Sequence, residues 1–273
     1  MESDATMNER QCHPIGSLLL ATAMVVLAGA EARAETAGDR GPLRGVYTDQ
    51  RVDLPLDPAR ADAPNPRNPP APVRIAPRNG GLDGVEGRVA PIEIVAAGGA
   101  ADLVWDTTSG DLLERDQVVA RKVAKADLPA AADRVALVRR VREMVQRAPR
   151  ALRLVPEERV LRNGARLDVT VAGVAGRAVV MLVVAGDGTT TLVHPLRSDR
   201  PKAEGDVIVS LDAGPPFGTD QIVVVTAGRP LDEFVTSLRR LDRRRAAGEV
   251  LGLLDALEGE GVDVGTQSVV TQP

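Results

Sequence analysis

The chain has 273 residues, which is enough for one large or two small domains and a flexible segment. Aromatic residues make up 1% of the sequence and hydrophobic residues 44%, so the core must be built mainly from Ala, Val and Leu. The net charge of −4 and the scarcity of aromatic side chains argue against nucleic acid as a partner, because such binding needs a basic field and stacking surfaces.

Residues 1–34 have the features of a secretory signal peptide. A short polar region precedes the apolar run IGSLLLATAMVVLAGA, and Ala32–Ala34 forms a small-x-small cleavage site. The apolar run is shorter than the roughly 20 residues of a membrane span, which favours cleavage over an uncleaved anchor. Translation can start at either Met1 or Met7. We expect a periplasmic or secreted protein that begins at Glu35 and has no stable membrane span.

Cleavage would remove Cys12 and His13 and leave His194 as the only histidine. A mature chain without a thiol can form no disulfide, cysteine nucleophile or sulfur-liganded zinc site. The sequence also lacks a phosphate-binding loop, a Gly-x-Ser-x-Gly turn and a His-Glu-x-x-His pair. We therefore assign no cofactor, no metal ligand and no catalytic residue.

Residues 35–91 are rich in proline and glycine, as in DLPLDPARADAPNPRNPPAPVRIAP. Proline cannot donate to a strand ladder and glycine is costly to order, so the composition predicts an extended, disordered linker. A short strand at Val73–Ile75 is the one element that this stretch could hold.

Residues 92–150 predict a small α+β segment. Apolar runs at Ile92–Val95, Asp102–Trp105 and Val118–Val123 are separated by turn residues and indicate three strands. A helix should follow, with Asp127 as its cap and Pro129 in its first turn. Its valines, which recur at helical spacing, are Val135, Val138, Val141 and Val145, and it should stop before Pro149.

Residues 151–273 predict an antiparallel, sandwich-like β-rich domain with C-terminal helices, which makes the chain an α+β protein. Asn163-Gly164 and Asp187-Gly188 are two-residue hairpin turns, and AVVMLVVA, apolar on both faces, is a central strand. DVIVSL and QIVVVT are two further strands. The helices should pack through Leu231, Phe234, Leu238 and Leu241 and then within 246–257, before a last short strand, GTQSVV.

The stretches LRNGARLDVTV, AVVMLVVAGDGTTTLVHP and PPFGTDQIVVVT resemble domain of unknown function 4384, a bacterial module found behind caspase-like peptidase and protein-kinase domains. The likeness covers roughly residue 92 to the C-terminus. Val179, Val180 and Met181 stand where that family usually has aromatic residues, and the peptidase domain is absent. The resemblance implies an accessory or sensing module and transfers no catalytic residue. The matching positions are Gly164, Asp187, Gly188, Leu192, Pro195, Pro216 and Gly218.

Three features have both a functional and a structural interpretation. His194 ends a Thr-rich strand, and Asp187, which is near it in sequence, should lie at the far turn, so a structural role is favoured over catalysis. The basic run Leu238–Arg245 is typical of a helix C-terminus and a solvated face, although it could meet an anionic partner. An acidic cluster could bind Ca²⁺, but turn bonding accounts for the stretch around TTSG. Its members are Asp102, Asp106, Asp111, Glu114 and Asp116.

Together these patterns favour a non-enzymatic envelope protein whose β-rich module binds a protein partner or a cell-surface component. The alternative is an accessory subunit or remnant of a caspase-like peptidase system. Peptidase or glycosidase activity of the purified mature chain would distinguish the two hypotheses.

Export predicts a defined N-terminus. If the site at Ala32–Ala34 is used, the intact mass of the protein isolated from the envelope fraction should correspond to a chain that begins at Glu35. A full-length cytoplasmic species as the sole form would contradict export.

Overall fold

The computed structural model describes residues 69–195 and 202–273, so the predicted signal peptide and most of the predicted linker lie outside the described residues. Within them the protein is α+β, as expected from the sequence. A 3₁₀ turn at Lys125–Asp127 precedes the first helix. In chain order the elements are β1 (Val73–Asn79), β2 (Ile92–Ile94), β3 (Leu103–Asp106), β4 (Leu112–Glu114), β5 (Gln117–Ala120), α1 (Leu128–Arg147), β6 (Arg153–Val155), β7 (Val160–Arg162), β8 (Arg166–Val171), β9 (Ala178–Val184), β10 (Thr189–His194), β11 (Val207–Asp212), β12 (Gly218–Ala227), α2 (Asp232–Leu241), β13 (Arg244–Arg245), α3 (Ala247–Ala256) and β14 (Val262–Gln272).

A six-stranded sheet lies at the centre, with the strand order β13-β10-β9-β12-β14-β7. All seven residues of β9 are buried, which agrees with its prediction as a central strand. Its partner β12 runs antiparallel to it and is almost as completely buried. The predicted last strand is β14, which at 11 residues is longer than expected and pairs with β12 along ten of them.

A three-stranded sheet of order β11-β8-β6 covers one face of the central sheet. Side chains alternate along β8, so that Leu167, Val169 and Val171 are fully buried while the residues between them are not. They share an apolar cluster with Val179 and Met181 of β9. This sheet-on-sheet packing is the sandwich that the period-two pattern predicted.

Helices and a five-stranded sheet of order β2-β1-β3-β4-β5 belong to the apolar cluster on the other face. That cluster includes Leu137 and Val141 of α1, Leu254 of α3, and Val180 and Leu182 of β9. One core therefore extends across residue 150, and the predicted division into a small α+β segment and a separate β-rich domain is wrong. The reason is that α1 buries its apolar side against the central sheet as well as against its own segment.

The predicted linker boundary at residue 91 is also wrong. Val73 and Ile75 are fully buried in β1, which lies between β2 and β3 and runs parallel to both. Leu82 and Ala90, beyond β1, belong to the same core. The strand suggested at Val73–Ile75 is thus real, and its alternating apolar residues outweigh the proline-rich composition around it.

The Asn163-Gly164 turn forms, but it does not make a hairpin. Ala165 N–H donates to the Arg162 carbonyl across the turn, and Gly164 has a φ of 78°. The strands on either side belong to different sheets, because β7 pairs with β14 whereas β8 pairs with β6 and β11. Strand β7 lies at the edge of the central sheet, and of its three residues only Leu161 is buried.

The Asp187-Gly188 hairpin is confirmed, but its turn differs from the expected two-residue type. Ala185 N–H donates to the Thr189 carbonyl, and Gly188 N–H donates to the Ala185 carbonyl, which makes a three-residue loop. Gly188 has a φ of 86°, whereas Asp187 is not in the left-handed region. A glycine in the left-handed conformation at the end of such a loop is a common hairpin geometry.

The helices agree with the sequence patterns. Helix α1 begins after Asp127 and ends before Pro149, although the Asp127 side chain binds Arg245 instead of capping the helix. Helix α2 buries Phe234, Leu238 and Leu241, and Leu231 is buried just before it. Helix α3 is buried along most of its length. No helix in residues 69–195 and 202–273 has the length and hydropathy required to cross a membrane.

The hairpin turn should be intolerant of a side chain at Gly188. A Cβ there would lie 2.4 Å from the Ala130 carbonyl oxygen of α1, whereas a Cβ at Gly173, which also has a positive φ, would meet nothing within 4 Å. Gly173→Ala should cost about 1 kcal/mol of unfolding free energy from backbone strain alone. Gly188→Ala should cost about 3 kcal/mol, because the clash adds to the strain.

Both losses can be measured by denaturant unfolding followed through the fluorescence of Trp105, which is 7% exposed. Equal losses in the two variants would show that the turn does not pack on α1.

Candidate functional site

His194 lies at the end of β10, half-buried, while Asp187 lies in the loop that precedes the same strand. The structure therefore separates these two residues by the length of β10, as the sequence predicted. Asp187 is engaged locally, since its carboxylate accepts from Thr189 N–H at 3.0 Å and lies 3.4 Å from Arg245 Nε. The arrangement gives His194 no carboxylate from this turn to orient it as a general base.

The five acidic residues of the predicted cluster do not form a common site among the described residues. The Asp106 carboxylate accepts from Thr108 and Ser109 N–H, which is the turn bonding expected around TTSG. These two hydrogen bonds hold the pKa of Asp106 below its usual value. Glu114 and Asp102 instead bind arginines of α1. Within the described residues, no three His, Cys, Asp or Glu side chains converge on a point where they could hold a metal ion.

The basic run Leu238–Arg245 has two parts. Arg239 and Arg240 lie in the last turn of α2, where a positive charge interacts favourably with the negative end of the helix dipole, as expected. Arg244 and Arg245 form β13, which pairs with β10 at the edge of the central sheet. Arg245 also reaches Asp127 at 2.8 Å, so this end of the run ties the N-terminus of α1 to the hairpin turn.

A small groove lies between α1 and the ends of β3 and β4, and we call it the arginine groove. Its space is about 120 Å³, which is smaller than the cavities that hold drug-sized ligands. The nearly buried Val135 and Val138 line it together with four arginines and two carboxylates. The lining residues are Ala101, Asp102, Glu114, Arg115, Arg134, Val135, Val138, Arg139 and Arg142.

Two of the groove's arginines are fixed by carboxylates of the chain. Arg134, whose side chain is 3% exposed, donates from Nη1 to Glu114 Oε2 at 3.0 Å. Arg139 Nη2 lies 2.6 Å from Asp102 Oδ1, and its Nη1 donates to the Pro72 carbonyl at 3.2 Å. Asp102 is in turn held by Arg74 N–H. These guanidinium groups are thus locked in place before any ligand arrives.

The other two arginines of the groove are exposed. Arg142 extends from α1 two turns after Arg134, and Arg115 lies in the tight β4–β5 turn with a φ of 50°. Neither side chain forms a hydrogen bond or ion pair within the part of the chain that the structure describes. The groove therefore has a positive charge in excess, exposed at two separate points, and it is suited to bind anions.

This groove was not predicted from the sequence. Arg134, Val138 and Arg142 follow one another at four-residue spacing, which places them on one face of α1 and could have been noticed. The carboxylates that oppose them come from strands whose contact with the helix no local pattern reveals.

The comparisons with known proteins give no relative. No protein-family model, curated protein or solved structure matches the chain. The resemblance to the caspase-associated domain of unknown function stays a prediction.

The role of Asp106 can be tested by substitution. Asp106→Ala should lower the melting temperature at pH 7, whereas Asp111→Ala should change it little, because the Asp111 side chain makes no such backbone bonds. The pKa of Asp106 is lower in the folded protein than in the unfolded chain, so its carboxylate stabilises the fold fully at pH values above the unfolded-state pKa. This stabilisation is lost as the pH falls through the lower, folded-state value.

The difference in melting temperature between the parent and Asp106→Ala should therefore shrink below about pH 4. Calcium should leave the parent's melting curve unchanged. A stabilisation by Ca²⁺ that Asp106→Ala abolishes would instead support the metal-site interpretation.

Proposed function

We propose that the protein is a non-enzymatic, exported module of the cell envelope that binds a protein partner through the arginine groove. The observation that carries the proposal is that one groove, lined in part by valines, contains two arginines held by carboxylates and two exposed arginines. Arginine is enriched at protein interfaces because its planar donors bind carboxylates and its stem covers apolar surface. Preordered side chains also reduce the entropy lost on binding.

Binding accounts for these side chains better than catalysis does. A guanidinium group stays protonated at every accessible pH, so the arginines of the groove cannot serve as general acids or bases. The carboxylates beside them already accept strong hydrogen bonds at short distances, which suits them to positioning the arginines. The residues of the groove are therefore equipped to recognise charge and shape.

The charge of the groove is local. The whole chain carries a net charge of −4, so the excess positive charge along α1 contrasts with its surroundings. Such contrast favours a partner that presents negative charge at one site, and it sets the orientation of the complex. A uniformly charged surface would recognise partners less selectively.

Affinity capture from the envelope fraction tests this proposal. The full-length mature chain should recover a protein whose yield falls when Arg142→Glu reverses the charge of the groove. Arg162→Glu is the matched control, because Arg162 is exposed on β7, outside the groove, and changes the net charge equally. His194→Ala should also retain the partner, with a stability change of about 1 kcal/mol or less.

A partner that Arg142→Glu and Arg162→Glu retain equally would overturn the assignment to the groove. Loss of the partner in His194→Ala with the fold intact would shift the site to the end of β10. Recovery of a caspase-like peptidase would support the accessory-subunit hypothesis as well.

A further inference from the structure

The two exposed arginines of the groove lie at a distance that restricts what can bind both. Arg115 adjoins Glu114, which binds Arg134, so the backbone of Arg115 lies at the Arg134 end of the groove. Arg142 is eight residues further along α1, and at about 1.5 Å per residue this corresponds to about 12 Å along the helix axis. Two anionic groups on one ligand match two charges that extend from opposite ends of the groove.

Between these two ends the groove is neutral and apolar. Val138 lies one helical turn from both Arg134 and Arg142, and it is almost fully buried at the base of the groove. The charge of Arg139 beside it is compensated by Asp102. The middle of the groove therefore favours an uncharged, apolar side chain over a third anionic group.

From this spacing we infer that the arginine groove binds an extended acidic peptide in which two carboxylate side chains, four positions apart, flank a central apolar residue. An extended chain rises about 3.3 Å per residue, so four positions span about 13 Å. Residues at even spacing face the same side of such a chain, which directs both carboxylates and the central side chain into the groove. The inference rests on the proposed function for its site and adds the chemistry of the ligand.

The groove's own carboxylates disfavour phosphate. Asp102 and Glu114 lie in its walls, and a doubly charged phosphate group placed beside either of them meets like-charge repulsion at short range. A carboxylate carries a single charge and fits the fork of a guanidinium group with two parallel hydrogen bonds. Asp102 already binds Arg139 through one such contact, from Oδ1 to Nη2.

Fluorescence anisotropy with labelled synthetic peptides tests the inference directly. The probe peptide is Gly-Glu-Ser-Leu-Ser-Glu-Gly, and the comparison peptides have the glutamates two positions apart, glutamine in their place, or phosphoserine in their place. The chain itself carries an acid-x-apolar-x-acid pattern at Asp53–Asp57. The reference protein is therefore the full chain with Asp53→Asn and Asp57→Asn, which removes competition from that segment.

The peptide with four-position spacing should bind most tightly, and its affinity should fall with salt. Arg142→Gln should weaken it about fivefold, as expected for the loss of one partly exposed ion pair. Arg162→Gln should leave it unchanged. Asp102→Asn keeps an acceptor for Arg74 N–H but removes a negative charge, so it should increase binding of the phosphoserine peptide relative to the glutamate peptide.

Affinity that does not depend on glutamate spacing, or that Arg142→Gln leaves unchanged, would overturn the inference, as would tighter binding of the phosphoserine peptide to the reference protein. These outcomes are separable from failure of the proposed function. An envelope partner that Arg142→Glu loses, combined with spacing-independent peptide binding, would overturn only the ligand chemistry. Spacing-dependent peptide binding without any envelope partner would overturn only the proposed function.

Discussion

The fold depends on the burial of both faces of β9. Its seven residues are apolar without interruption, so neither face can be left to water, and each must be covered by a different part of the chain. Val179, Met181 and Val183 meet the three-stranded sheet, while Val180 and Leu182 belong to the cluster that the helices join. Segments from β1 to β14 thus become parts of one body, although they differ in composition.

Covering β9 also determines where charged groups of α1 can lie. Its first half is surrounded by the core, and Asp133 and Arg134 are buried there with specific partners: Asp133 accepts from Val89 and Ala90 N–H, and Arg134 donates to Glu114. Removing one partner of such a buried pair is more costly than never having formed it, so these contacts fix the helix orientation. The outer side of the second half reaches solvent around Arg142, and the groove runs along α1 from the buried Arg134 to this exposed end.

Sequence patterns predicted elements whose signals are local. The alternation in β8, the uninterrupted run in β9 and the helical spacing of Val135, Val138 and Val141 each correspond to an observed element. The errors concern which elements meet. The turn at Asn163-Gly164 does not reveal that β7 pairs with β14, where Val160 lies opposite Val270, and the prolines around Val73 concealed a core strand. The groove was missed for the same reason, since Asp102 and Glu114 approach α1 only through tertiary packing.

The preference for arginine over lysine has a structural consequence here. The sequence contains only Lys122, Lys125 and Lys202, and composition alone explains such a bias without reference to binding. In the folded protein, however, single arginines join several groups at once, and Arg140 donates to Asp255, Glu143 and Glu258. Hydrogen bonds from Arg147 and then Arg140 hold the pKa of Glu258 below its usual value. A compact ammonium group lacks this planar fork. Many arginines of the described residues are paired with carboxylates in this way, whereas four arginines meet only two carboxylates at the groove, so an acidic chain still presents an excess of positive charge there.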